Sequence, residues 1–363
     1  MVSALRALAA LVALLAHLLS AGGPPAAAAE PAPLSHLIGQ KLVVRMDGRV
    51  PDAELLGRIR LGRVGGVILY HGRNFTSAAH LRSVAGTLQA SAAGAGRPPL
   101  LIAVDQEGGP VKQVPWVPPA ASPAQIGADG SASEALDQGR LTGRALLALG
   151  VNVDLAPVAD VPASPHSFML QGGRTWSGSA SATSALANAF ATGLEQGGVI
   201  PAMKHFPGLG YAALNTDFHI EAITASRAQL VAGLVPYRAA ISAHVPMIML
   251  SNAVYEAYDG ANAAGWSYAI GTRLLRGVLG FEGVTITDSL DGAAHARRIA
   301  DGPLAIRAAR AGTDMILVTG SEATSQSVYA SLIQQARAGA ISRASLEASY
   351  RRILALKRTL GAG

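Results

Sequence analysis

The chain has 363 residues, 50% of them hydrophobic and 14% charged, with a formal net charge of +6 and no cysteine. That length and apolar content supply a large core, and they exclude a disordered chain, a disulfide-stapled scaffold and a thiol-linked lipid anchor. Basic residues are scattered, without a Lys/Arg block or interleaved aromatics, which speaks against a nucleic-acid partner.

In chain order, Arg6 precedes an apolar run over 7–19, followed by Gly22-Gly23-Pro24-Pro25 and a string of alanines over 26–29. A positive start, a short apolar stretch and an A-x-A type cleavage site define a signal peptide over residues 1–29. The run is too short to span a bilayer comfortably, so export without stable membrane insertion is expected. From there, β-branched apolar runs at 41–46, 66–70, 100–104, 151–156, 200–205, 246–250, 284–287 and 315–318 read as strands. Ala/Leu-rich helical stretches alternate with them at 78–93, 132–149, 180–196, 227–243, 271–279, 303–311 and 324–338, and a helix over 345–360 closes the chain. Continuously apolar strands alternating with helices predict a parallel sheet covered on its outer face. Eight such units over residues 30–363 fit a single-domain (β/α)8 TIM-type barrel; a doubly wound open sheet is the alternative.

Polar residues follow the strand ends in a regular way: Asp105, Asp154, Asp160, Lys204, His205, Ser251, Asn252 and Asp288. In a barrel those positions converge on the C-terminal rim, and a core does not accept so many ionisable groups unless they are paired or used. Asp288, in VTITDSLDG, is a rigidly held carboxylate that can attack an electrophilic carbon or cap the following helix. Asp105, beside the Gly108-Gly109-Pro110 turn, can accept hydrogen bonds from adjacent hydroxyls or bond its own turn, and Glu107 reads as structural, bonded to loop amides. Lys204 and His205 precede the Phe206-Pro207-Gly208 turn and offer a point charge and a directional donor. Arg174, in QGGRTW, either completes a donor cluster around an oxygen-rich ligand or is a solvated loop residue. Asp217-Phe218-His219 fits a capped, solvated turn, or a general acid/base couple in which the carboxylate orients the imidazole. No H-x-H or H-E-x-x-H pattern calls for a metal, and no phosphate-loop motif is present.

Taken together, IGQKLVV, GGVILYHGRN, AVDQEGG, NVDLAPVAD, GGRTWSG, MKHFPGLG and GVTITDSL resemble glycoside hydrolase family 3, in particular its single-domain β-N-acetylglucosaminidases. The resemblance implies a (β/α)8 barrel, no cofactor, and retaining hydrolysis of terminal β-linked N-acetylglucosamine. In that reading Asp288 is the nucleophile, Asp105, Arg174, Lys204 and His205 bind the sugar, and His219 with Asp217 is the acid/base couple. Gly208 and Gly210 are then expected to let the 211–219 loop move. The chain departs from the family pattern at Leu209, where a second His is usual, and in a loop two residues longer before Asp217. Pro110 and Gln113 stand where Arg is common, so one sugar contact is either lost or taken over by Lys112. A broad-specificity glycosidase or β-glucosidase, and an envelope sugar-binding protein with impaired turnover, are the competing readings.

Overall fold

The computed structural model describes residues 32–360, so the expected signal peptide lies outside the described residues. From Leu34 onward the chain forms one compact unit. The strands of its main sheet are β1 (Leu42–Arg45), β2 (Gly66–Ile68), β3 (Leu101–Val104), β4 (Val153–Asp154), β5 (Ile200–Phe206), β6 (Met247–Leu250), β7 (Val284–Thr287) and β8 (Ile316–Val318). All pair in parallel with their sequence neighbours. β8 returns to pair with β1, and an Ile286–Met315 bridge joins β7 to the start of β8. The ring is therefore closed: the fold is a (β/α)8 barrel, and the open-sheet alternative is excluded.

Burial on both faces explains why the strands read as unbroken apolar runs. Val43, Leu101, Ala103, Leu155, Ala202, Met249 and Leu317 fill the interior, together with Ile353 and Leu356 from the C-terminal helix Arg343–Arg358. That helix plugs the barrel at the N-terminal ends of the strands, where Lys357 Nζ donates to Gln40 Oε1 and Gly65 O at 2.6 and 2.7 Å. The opposite face of the strands, with Met203, Ile248 and Leu250, packs on helix residues such as Leu186, Phe190, Leu234 and Tyr237.

β4 is shorter than the apolar run suggests; just before it, the Asn152 side chain adds bonds to β3, accepting from Ile102 N at 2.7 Å and donating to Leu100 O at 2.9 Å. Several helices begin earlier than their apolar periodicity implies, since serine caps set the start. Ser321 opens Glu322–Arg337, Ser342 opens Arg343–Arg358, and Ser267 opens the wide-turned π-helix Tyr268–Val278. A helix at Ala53–Arg60, absent from the predicted set, completes the first unit.

Candidate active site

Strand ends deliver the polar groups to one place. A cavity of about 390 Å³ lies at the C-terminal ends of the strands, and its walls include Tyr70, Asp105, Glu107, Arg174, Lys204, His205, Asp217 and Asp288. Asp105 and Glu107 follow β3, Lys204 and His205 end β5, and Asp288 follows β7.

The floor is a buried ion-pair network. Lys204 Nζ donates to Asp105 Oδ1 at 2.7 Å and lies 2.7 Å from Glu107 Oε1. Arg174 grips Glu107 in a two-point fork, Nε to Oε2 at 2.8 Å and Nη2 to Oε1 at 2.7 Å. Burial alone would raise the Glu107 carboxyl, but Lys204 and Arg174 pull it down to about 2. Burial by itself would lower Lys204 and Arg174, and the carboxylates beside them hold both above their ordinary range. All three are thus charged at neutral pH. The role expected for Glu107 needs correction: its partners are these two cations, not loop amides. Arg174 is likewise not a solvated loop residue.

His205 is oriented by a group that lies outside the cavity wall. The Asp160 carboxylate accepts from His205 Nδ1 at 2.7 Å through Oδ2, and from Leu209 N at 2.7 Å through Oδ1. With Nδ1 committed, Nε2 is the ring nitrogen left for a ligand. Asp154 is fully buried; Oδ1 accepts from Gln106 N at 2.9 Å, Oδ2 has no partner among the described residues, and burial pushes its carboxyl well up.

Two further carboxyl groups face the cavity. Asp288 accepts from Ser289 N at 2.7 Å, and its own N–H donates to Leu250 O at 2.9 Å, which fixes it at the mouth of β7. Buried Asn252 supports that corner by donating to Ser289 O at 2.8 Å. Asp217 hangs over the same space from the 211–221 loop. Burial first, and the nearby Asp288 charge second, raise its carboxyl to about 6. Asn215 shapes this turn: its side chain accepts from Asp217 N at 2.9 Å, and its carbonyl accepts from Phe218 N and His219 N at 3.1 and 3.0 Å.

Six of the seven sequence-derived site residues therefore share one cavity: Asp105, Arg174, Lys204, His205, Asp217 and Asp288. His219 does not join them; it is exposed and lies outside the cavity wall. Lys112 is also outside the wall, so it does not take over the contact considered for it. Gly208 and Gly210, expected to let the loop move, are both packed into the structure. Both are buried, Gly208 has φ of +120°, and a Cβ on Gly210 would lie 1.7 Å from Val161 O. Tyr70 was missed, although its place just past β2 was a usable signal. Asp160 was seen only as a strand-end residue; nothing in its spacing reveals that it holds His205.

Comparison with known proteins bears on the family and the fold. Residues 35–356 match the glycosyl hydrolase family 3 N-terminal domain. The chain belongs to that family. A relative from Arthroderma benhamiae, described as a secreted glycosyl hydrolase, is 34% identical over 330 residues, covering 89% of this chain and 93% of its own. Among solved family 3 structures, a β-N-acetylglucosaminidase from a Paenibacillus species superposes with a TM-score of 0.87 at 30% identity. It covers 92% of this chain, which in turn spans 64% of that longer protein. A β-N-acetylhexosaminidase from Beutenbergia cavernae gives 0.82 at 32% identity, covering 90% of this chain and 99% of its own. As a family 3 member, the chain carries its polar network where the barrel places chemistry, at the C-terminal rim.

Proposed function

We propose that the chain is an exported retaining β-N-acetylhexosaminidase that removes terminal β-linked N-acetylglucosamine from peptidoglycan- or chitin-derived glycans. The observation that carries this reading is the shared cavity: Asp288 faces the same space as a second carboxyl, Asp217, and the Asp105–Lys204–Glu107–Arg174 network. Two carboxyl groups facing one cavity are what a retaining glycosidase needs. Asp105, Lys204, Arg174 and His205 Nε2 offer acceptors and donors for sugar hydroxyls and the acetamido group.

In this reading the Asp288 carboxylate attacks the anomeric carbon, and the bond to the leaving oxygen breaks as that oxygen takes a proton. The covalent glycosyl–Asp288 ester is then opened by water, whose proton returns to the group that gave one up. Asp217 is the proton carrier that faces the cavity; His219, two residues on, is exposed outside the cavity wall. Export is supported by the N-terminal signal-like segment and by a relative described as secreted. Among the described residues no helix is long and apolar enough to cross a membrane.

The test compares wild-type protein and Asp288→Ala on nitrophenyl N-acetylglucosaminide and the matching glucoside. Turnover of the aminosugar that disappears in the variant is the expected result; preference for the glucoside would support the β-glucosidase reading. The exposure of His219 favours one further alternative, a sugar-binding protein with impaired turnover. Tight N-acetylglucosamine binding with no hydrolysis of the activated substrate would select it.

A further inference from the structure

One aromatic group beside the cavity has no part in the chemistry above. Trp116 is 42% exposed, yet its ring is braced nearly edge-on by His71, with centroids 5.6 Å apart at 73°, and by Phe75, at 6.2 Å and 81°. Phe75 is fully buried, so the brace belongs to the core. The loop that presents the indole is equally fixed. The buried Gln106 side chain donates to the carbonyls of Val114 and Pro118 at 3.1 and 2.9 Å and accepts from Val114 N at 2.8 Å.

Both halves of this platform are tied to the cavity wall. Tyr70, which lines the cavity, directly precedes His71. His71 N donates to Gln113 Oε1 at 3.0 Å, and Gln113 N donates to the carbonyl of Asp105, another wall residue, at 3.1 Å. A rigid aromatic surface therefore stands at the rim, outside the polar network. Large apolar rings held partly in water in a fixed pose serve recognition, because stacking on them costs little side-chain entropy. The C–H face of a pyranose is a natural partner for such a surface. A cavity of about 390 Å³ crowded with charged groups suits one sugar residue, which puts the ring across the scissile bond on the rim.

We propose that Trp116, with His71 beside it, is the stacking platform for the sugar ring on the leaving-group side of the scissile bond. The inference rests on the glycosidase reading above and deepens it: the enzyme selects saccharide leaving groups over small alkyl ones. Trp116 acts here as a specificity residue that never touches the reacting atoms.

The test is calorimetric binding of two ligands, N-acetylglucosamine and a non-hydrolysable, sulfur-linked dimer of it, to wild type, Trp116→Ala and Trp116→Phe. Loss of one aromatic contact should weaken dimer binding to Trp116→Ala about five- to tenfold. Trp116→Phe should retain most of the affinity, and monosaccharide binding should be the same in all three proteins. Unchanged dimer affinity in Trp116→Ala, or an equal loss for both sugars, would overturn the platform. A wild-type protein that binds neither sugar would remove the glycosidase reading and the platform with it, a failure distinguishable because it appears before any substitution.

Discussion

Asp217 and Glu107 have opposite surroundings, and the contrast sets what each can do. Around Asp217, burial and the Asp288 charge both favour the protonated form, so its carboxyl rises from 3.8 to about 6. A proton donor with that affinity is loaded below about pH 6, so hydrolysis limited by it should fall as pH rises through about 6. Asp217→Asn should cut kcat by about 10²–10⁴ on sugar leaving groups, less on nitrophenyl ones, and abolish the basic limb of the pH–rate profile. Stability follows the same proton. Between pH 4 and 6 the folded chain retains a proton that the unfolded chain has lost, so Asp217 makes stability decline across that window and contributes a constant penalty above it. The unfolding midpoint of Asp217→Asn should therefore gain on wild type as pH is raised from 4 to 7. Glu107, in contrast, is buried between two cations. Glu107→Gln leaves both with one anion fewer and should cost about 3–5 kcal/mol in urea unfolding, with loss of sugar binding.

The element that organises the site is β5 with the turn that follows it. Its last residues place Lys204 and His205, Asp160 fastens both His205 and Leu209, and Tyr255 donates to Gly208 O at 3.0 Å. Because Gly210 packs against Val161 O, Gly210→Ala should destabilise the fold by about 1–3 kcal/mol, measurable as a lower denaturation midpoint. A glycine needed only for motion would accept alanine with little loss of stability. The sequence made part of this element legible: the apolar run, the polar strand end and the Pro-Gly turn all fall where the structure has them. What the residues could not reveal is why the glycines are there, since the contact with Val161 comes from another loop. The same limit hid the partners of Glu107: Arg174 lies 67 residues away along the chain, and no local spacing reports such a pairing.

Across the whole molecule, the two ends of the barrel divide the labour. The C-terminal rim gathers the chemistry, and the N-terminal end is closed by the last helix and by a buried network around Asp314. Burial would raise the Asp314 carboxyl, but Arg276 and Arg352, both bonded to it, bring it below its ordinary value. Its stabilising contribution is thus present above the unfolded-state pKa and is lost as pH falls through the folded one. Asp314→Asn should cost about 3–5 kcal/mol at pH 7 while leaving N-acetylglucosamine affinity unchanged, measured by unfolding and by calorimetry. The barrel itself was legible because the strands are buried on both faces and the ends of five of the eight, β3 to β7, are marked by polar residues. Its closure, expected from the count of eight units, rests on the β8–β1 pairing, which joins residues from the two ends of the fold. The most direct measurement is to trap the protein with a fluorinated N-acetylglucosaminide bearing an activated leaving group and to map the labelled peptide. A single sugar adduct on Asp288 is the expected result; steady turnover with no adduct there, or an adduct on another carboxylate, would contradict the assignment of Asp288 as the attacking group.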